Sequence, residues 1–248
     1  MTSDSSIQRA PFVKQLAAND RPTRDKAVES LKTYLSSSRT FTQADFLKLW
    51  KGLFYCMWLS DRPRTQQRLA DELASLVDVV KPQNVFTFLE TFWMTMTREW
   101  TSIDSLRMDK FMLLVRRYVA ASLRYLRSNG WSDEDLWRNN EILETLPLHP
   151  TNAKMPDGLR YHLIDIYLDE LFKAAKVEEE EEEEEEDDDE EKEQAEEQYD
   201  ITPEQTETLL HPFRKLHQET LSKSIKKSVG ELLEDERLQT LLKAPSGS

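Results

Sequence analysis

The four histidines and the single cysteine are the side chains best suited to bind a metal or to act as nucleophiles. None of the histidines has metal-ligand spacing with another or with Cys56; they are His149, His162, His211 and His217. The sequence also lacks the glycine-rich nucleotide loops, the GxSxG nucleophile turn and the HExxH zinc motif. We therefore predict no metal, no cofactor and no enzymatic activity.

Two carboxylates beside a histidine are the nearest approach to an acid–base site. Asp165 and Asp169 are one helical turn apart, and His162 precedes Asp165 by three residues. Because the same spacing gives a polar helix face with local hydrogen bonds, we favour that interpretation. Cys56 lies in an apolar run without a basic neighbour, which predicts a core residue rather than a nucleophile.

Basic residues recur along one predicted helix. Lys110, Arg117 and Arg124 are seven residues apart, so they project within about 40° of one another, and Arg116 and Arg127 flank them. Such a cationic ridge would suit phosphate groups or an acidic partner. Solvated surface charge is the commoner meaning of this pattern, and both interpretations stay open.

The tryptophans could act as stacking platforms for nucleic-acid bases or as core residues. Trp50, Trp93 and Trp100 fall on apolar helical stripes, which favours the core. Trp58 adjoins a polar turn with Asp61, Arg62 and Arg64, and we expect it to be partly exposed.

The net charge of −14 comes from one segment. Residues 178–197 hold 17 acidic side chains and one lysine, and the other 228 residues carry 32 Lys and Arg against 30 Asp and Glu. A block of this composition cannot bury a core, so we expect it to be disordered. It is either a solubilising linker or a polyanion that binds basic partners or screens a basic surface.

Composition also indicates the compartment and the fold class. One cysteine favours a reducing compartment, and the longest apolar run, 53–59, is too short to span a bilayer, so we expect no membrane role. The chain has only five glycines, and its apolar residues recur at helical spacing in successive segments. Both features predict an all-α protein. We predict an α-solenoid of the armadillo or HEAT type, with a compact irregular helical bundle as the alternative.

The predicted organisation has five parts. They are a flexible N-terminus (1–11), an α-helical solenoid domain (12–176), a disordered acidic linker (177–200), C-terminal helices that dock on the domain or on a partner (201–243), and a flexible tail (244–248).

Capping residues place several helix starts. Thr42 with Asp45 approximates a capping box, and Ser102 is predicted to begin a long helix that reaches Ser128. Ser132 is predicted to begin the next helix. A first helix is expected over 12–18, and three prolines make 146–156 an irregular connection.

Two helices are predicted beyond the acidic run. Thr202 followed by Pro203 is a helix-start signal, and the apolar side of that helix continues to Ile225. A last helix is predicted to run to the flexible end at 244–248, with Leu232, Leu233, Leu238 and Leu241 on its apolar side.

Three sequence blocks resemble the ribosomal RNA processing protein 1 family, also called the nucleolar protein Nop52 family. The first is KLWKGLFYCMWLSD at 48–61, followed by Arg62 and Pro63. The second contains FW at 92–93, REW at 98–100 and IDSLRMDKF at 103–111, and the third contains PDGLRYH at 156–162 and DIYLDEL at 165–171. The resemblance covers about 12–176.

The resemblance implies a nucleolar factor in large-subunit precursor particles, needed for ribosomal RNA processing without being the nuclease. It implies other assembly factors as partners, among them a Brix-domain protein and a WD-repeat protein, besides pre-ribosomal RNA. The turn from Trp58 to Arg64 and the segment 156–162 would dock partners or else fix the packing of neighbouring helices. The contact candidates are Lys51, Trp58, Asp61, Arg62, Arg64, Lys110, Arg116, Arg117, Arg124, Arg127, Arg160, Tyr161 and His162.

Three functions are therefore compared. The leading one is a non-enzymatic helical scaffold that bridges assembly factors and pre-ribosomal RNA. The second is an RNA-binding protein that uses the basic ridge of Lys110, Arg117 and Arg124, which predicts binding that weakens steeply as salt rises. The third is an acidic chaperone for basic proteins that acts through 178–197.

Overall fold

The computed structural model of the chain describes residues 11–177 and 198–243, and this described part is all-α, as predicted. Its only β feature within these ranges is an isolated antiparallel bridge between Lys176 and Tyr199. A 3-10 turn, Trp100–Ser102, separates α6 from α7. The helices are α1 (Pro11–Gln15), α2 (Arg21–Leu35), α3 (Gln43–Trp58), α4 (Pro63–Ala74), α5 (Leu76–Val79), α6 (Pro82–Glu99), α7 (Ser105–Ser128), α8 (Asp133–Thr145), α9 (Asp157–Ala175), α10 (Pro203–Glu219), α11 (Lys223–Leu233) and α12 (Leu238–Lys243).

The predictions of a flexible N-terminus (1–11), a disordered acidic linker (177–200) and a flexible tail (244–248) fall mostly on residues 1–10, 178–197 and 244–248, which lie outside the described ranges. At their borders, α1 begins at Pro11 and Tyr199 forms the bridge with Lys176.

The long helix α7 lies at the centre of the helix packing. It contacts α4 and α9, while α3 packs on α6, α8 contacts both α6 and α10, and α11 lies against α9. Successive helices therefore bury their apolar faces against one another, which is consistent with the predicted stack of helical repeats.

An aromatic cluster fills the space between α3, α6 and α7. Trp50 on α3 lies 5.0 Å from Phe92 on α6 and 5.1 Å from Tyr118 on α7, measured between ring centroids. The Tyr118 hydroxyl donates to the carbonyl of Leu73 at 2.6 Å, which satisfies its only polar group in the core. Trp93 and Trp100 are also buried, as their stripe positions predict.

Most predicted helix starts are confirmed. Thr42 and Asp45 form the capping box of α3, and Ser132 accepts from the backbone N–H of Asp135 at the start of α8. The predicted start of α7 at Ser102 is wrong, because Asp104 is the N-cap and Ser102 ends the preceding 3-10 turn. The first helix is also shorter than predicted, since the described part of α1 ends at Gln15.

The C-terminal region forms three helices rather than two. The backbone is extended at Thr220, which ends α10, and the Ser222 side chain caps α11 by accepting from the N–H of Ile225. Leu221, which the apolar pattern placed on the buried side of one long helix, is exposed in the turn between them. α11 ends at Leu233, and α12 begins at Leu238 after a short turn.

Candidate interaction surface

The turn between α3 and α4, residues 59–62, is held from inside by buried cations. Lys110 on α7 donates from Nζ to the carbonyl oxygens of Trp58 at 2.6 Å and Ser60 at 2.8 Å. Arg24 on α2 donates to the carbonyl of Leu59 at 3.3 Å. The last carbonyls of a helix have no partner within the helix, and cations are favoured there by the helix dipole. Side chains from two other helices therefore fix the end of α3.

Lys110 lies in the interior, which corrects the prediction of an exposed cationic ridge. Only 4% of the surface of Lys110 is exposed to solvent. Burial, with a smaller contribution from the positive charge of Arg107, lowers the pKa of Lys110 to about 8. The heptad spacing predicted its direction relative to Arg117 and Arg124, but α3 covers that end of the face.

The remaining ridge residues are paired with carboxylates of neighbouring helices. Arg117 is 2.6 Å from a carboxylate oxygen of Asp71 on α4, and Arg124 is 3.9 Å from Asp78 on α5. Because each charge already has a partner, the face is closer to neutral than the sequence indicated.

The two arginines that flank the ridge connect α7 to other parts of the fold. Arg116 donates to Glu170 at 2.6 Å and to Asp169 at 3.2 Å, both on α9. Arg127 donates to Asp200, just before α10, at 2.6 Å. Their contact with a partner or with RNA stays a prediction, while their contacts within the chain hold helices together.

The outer side of the turn is exposed and positively charged. Arg62 and Arg64 have no ion-pair partner within the described ranges, and the nearby Asp61 is exposed too. The guanidinium of Arg107 lies 4.7 Å from the ring centroid of the half-buried Trp58. We call this region the Trp58 surface; it comprises Lys51, Trp58, Asp61, Arg62, Arg64 and Arg107.

Lys51 extends the Trp58 surface along α3. It is exposed and precedes Trp58 by seven residues, so the two side chains leave the helix on the same side. The predicted contact candidates Lys51 and Trp58 therefore lie on one side of α3.

The candidates in the third block are largely internal. Arg160 donates to the carbonyl of His149 at 2.5 Å and to a second carbonyl of the 146–156 connection at 3.1 Å. His162 is hydrogen-bonded through Nε2 to the carbonyl of Met112 at 2.8 Å, and burial lowers its pKa. Tyr161, between them, is half-buried. These contacts support the packing role that was one of the two alternatives for this segment.

The other candidates for chemistry also have structural partners. Asp169 accepts from Arg237 at 3.0 Å as well as from Arg116, and Asp165 is exposed on the far side of α9 from the core. Burial raises the pKa of the Cys56 thiol to about 11, as expected for a core residue.

The described part of the chain holds neither a metal-binding cluster nor a membrane-spanning helix. Within 11–177 and 198–243, no three His, Cys, Asp or Glu side chains are grouped so that they could hold a metal ion. Among the same residues, no helix combines the length and the apolar character needed to cross a bilayer.

Three residues of these surfaces were not identified from the sequence. Arg24 and Arg107 act through contacts with α3 that have no local sequence signal. Trp137 is 61% exposed on α8, and the charged Arg138 beside it is the local sequence signal for that exposure.

Comparison with known proteins gives one family. Residues 7–247 match the profile of the family described as "Nucleolar protein, Nop52". This match covers nearly the whole chain.

Curated relatives carry a consistent name. "Ribosomal RNA processing protein 1 homolog A" of Homo sapiens is 39% identical over 183 residues, which is 70% of this chain and 40% of that protein. "Ribosomal RNA processing protein 1 homolog B" of Homo sapiens is 41% identical over 173 residues, 67% of this chain and 23% of that protein. The homolog of Drosophila melanogaster is 33% identical over 177 residues, 69% of this chain and 26% of that protein. The chain thus spans less than half the length of these relatives.

Proposed function

This chain belongs to the Nop52 family of nucleolar proteins, and we propose that it acts in ribosomal RNA processing as a non-enzymatic helical scaffold in precursors of the large ribosomal subunit. Membership confirms the predicted family, and the family's description as nucleolar agrees with the predicted location. The relatives named for ribosomal RNA processing support the process. In this proposal residues 12–176 form the partner-binding domain, and 201–243 are helices docked on it.

The Trp58 surface is the observation that carries the scaffold role. Its residues Arg62 and Arg64 are exposed and lack ion-pair partners in the described ranges, while Lys110 and Arg24 fix the backbone beneath them. A surface whose backbone is already ordered loses little entropy on binding, and Arg and Trp are frequent anchors at protein interfaces. This favours docking of a protein partner with acidic and apolar groups, such as another assembly factor.

RNA binding through the α7 ridge is less well supported. Lys110 is buried, and Arg117 and Arg124 are paired with Asp71 and Asp78. Pre-ribosomal RNA, a Brix-domain protein and a WD-repeat protein remain proposed members of the same particle, from the family resemblance alone. The proposed chaperone role of 178–197 concerns residues outside the described ranges.

Charge reversal at the Trp58 surface tests the proposal. Full-length tagged protein with Arg62→Glu and Arg64→Glu is purified from cells at moderate salt, and the co-purifying proteins and precursor RNA are identified. We expect at least about a tenfold loss of co-purifying assembly factors, since interface arginines can each contribute more than 1 kcal/mol. Treatment with ribonuclease shows whether the retained contacts in the wild type depend on RNA.

The matched control reverses two exposed lysines elsewhere. Lys223 and Lys226 lie on α11 and have no ion pair within the described part of the chain. Lys223→Glu with Lys226→Glu makes the same change in net charge, and particle association should persist. Normal association of the arginine variant would contradict docking through the Trp58 surface.

A further inference from the structure

A groove between α8 and α10 lies on a different part of the molecule from the Trp58 surface. It has a volume of about 650 Å³ and is open to solvent along one side. We call it the Trp137 groove; the residues used below are Trp137, Asn140, Glu141, Glu144, Glu207 and His211. The helices that form its walls pack directly on each other, so the groove is a stable feature of the folded chain.

Trp137 projects from α8 at the edge of this groove. It is 61% exposed, although its neighbours along the apolar side of α8, Leu136 and Leu143, are buried. An exposed tryptophan contributes little to folding, and tryptophan is among the residues that most often dominate the binding energy of protein interfaces. Its ring also offers a face on which an arginine or lysine can stack.

The groove carries an excess of negative charge. Three glutamates and one lysine line it, and Arg214 pairs with one of the glutamates, so one carboxylate is left in excess. Glu144 is satisfied by Lys215 at 2.8 Å and His211 at 2.6 Å, and Glu207 by Arg214 at 2.8 Å. Glu141, one helical turn from Trp137, has no ion pair within the described residues. A cationic side chain in the groove could therefore pair with the carboxylate of Glu141 and stack on the ring of Trp137.

A buried amide on the groove wall has an unused acceptor. Asn140 is 6% exposed, and its Nδ2 donates to the carbonyl of Thr208 at 2.5 Å. Its Oδ1 has no hydrogen-bond partner among the described residues. An unpaired buried acceptor costs free energy, and a donor on a ligand side chain could satisfy it after a small movement of the amide. This wall of the groove therefore favours a ligand with a hydrogen-bond donor, such as a lysine or arginine side chain.

We propose that the Trp137 groove binds a basic segment of a protein partner, with an arginine or lysine over Trp137 and against Glu141. This extends the proposed scaffold role to a second surface. Net negative charge repels nucleic-acid phosphates and also the chain's own acidic run at 178–197. A basic peptide with interspersed apolar side chains matches both the charge and the apolar lining.

The proposed binding is tested by fluorescence anisotropy, which measures the affinity of the full chain for a labelled peptide of alternating arginine and leucine. Basic peptides also bind acidic runs, so the comparison between variants is the readout. We expect Trp137→Ala and Glu141→Lys each to weaken binding about tenfold, as for the loss of an interface anchor, and Trp137→Phe to lie between. A labelled peptide of alternating glutamate and leucine should bind at least about tenfold more weakly.

Two control variants change the same residue types elsewhere. Tyr55→Ala removes another exposed aromatic ring and Glu234→Lys another exposed carboxylate, and both should bind the peptide as the wild type does. Equal affinity in all variants would overturn the proposal and place the peptide on the acidic run. Self-association that Trp137→Ala abolishes would overturn it in favour of a second copy of the chain, and tight binding of an oligonucleotide in favour of RNA. Peptide binding can fail while particle association through the Trp58 surface persists, so the two proposals fail separately.

Discussion

At the scale of single residues, Lys110 is the side chain on which the α3–α4 turn depends most. Its ammonium group is surrounded by the carbonyls of Trp58 and Ser60 and is almost fully removed from water. Methionine has a similar length but no donor, so Lys110→Met leaves both carbonyls without this partner. We expect a loss of roughly 1–3 kcal/mol of unfolding free energy at neutral pH.

The loss of unfolding free energy in Lys110→Met should depend on pH, because the ammonium group of Lys110 is buried. The pKa of Lys110 is about 8 in the folded chain, compared with an ordinary value of 10.5, so between these values the unfolded chain binds more protons. The stabilisation from this shift is therefore absent below about pH 8 and grows as the pH rises towards 10.5. Urea unfolding of wild type and Lys110→Met at about pH 7 and about pH 9.5 should show the stability difference widening by roughly 1–2 kcal/mol.

Lys154→Met is the control, because it shows how much of the pH dependence of stability comes from groups other than Lys110. Lys154 is exposed in the 146–156 connection, and its loss should leave stability within about 0.5 kcal/mol at both pH values. A constant or narrowing gap for Lys110→Met would mean that its ammonium group is not held in a buried site.

The sequence predicted the directions of side chains on a helix more accurately than it predicted the groups that they contact. Heptad spacing correctly placed Lys110, Arg117 and Arg124 along one line of α7. Their partners are the end of α3 and the carboxylates of Asp71 and Asp78, which are 46 to 52 residues away in the chain. Helix periodicity carries no information about such distant groups, so exposure and pairing could not be read from spacing.

At the scale of elements, the start of α7 depends on Asp104. Its side chain accepts from the backbone N–H of Arg107 and also pairs with the Arg107 guanidinium. Asp104→Ala should therefore cost about 1 kcal/mol of stability, as is typical for the loss of an N-cap. Ser102→Ala, two residues earlier, should cost nearly nothing, because Ser102 makes no capping hydrogen bond. Chemical unfolding of both variants measures the difference, and equal losses would restore the boundary predicted from the sequence.

Three of the four N-caps predicted from the sequence are correct. Thr42, Ser132 and Thr202 each stand before a clear apolar stripe, and each is an observed N-cap. Ser102 and Asp104 are both good capping types, so residue type alone does not decide between them. In the structure Ser102 ends the 3-10 turn and Asp104 caps α7.

At the scale of the whole molecule, the C-terminal helices are part of the same packed structure as the preceding ones. Phe213 on α10 is fully buried, 4.6 Å from Tyr167 on α9 between ring centroids. Arg237 joins the end of the chain to Asp169 at 3.0 Å and lies over the ring of Phe172. The apolar faces of these helices predicted that they must dock, but they could not distinguish the chain's own helices from a partner.

Cleavage of the connecting segment tests this docking. A protease site placed within 178–197 and cut in the folded protein should leave two pieces that elute together on gel filtration, because α10 and α11 bury their apolar faces on α8 and α9. Phe213→Ala should cost about 3–5 kcal/mol through the cavity it creates, so the cut pieces should separate at lower urea. Leu221→Ala is the matched control, since Leu221 is exposed in the turn after α10 and its loss should change nothing measurable. Spontaneous separation of the wild-type pieces in buffer would mean that the C-terminal helices are held mainly by the covalent connection or by a partner.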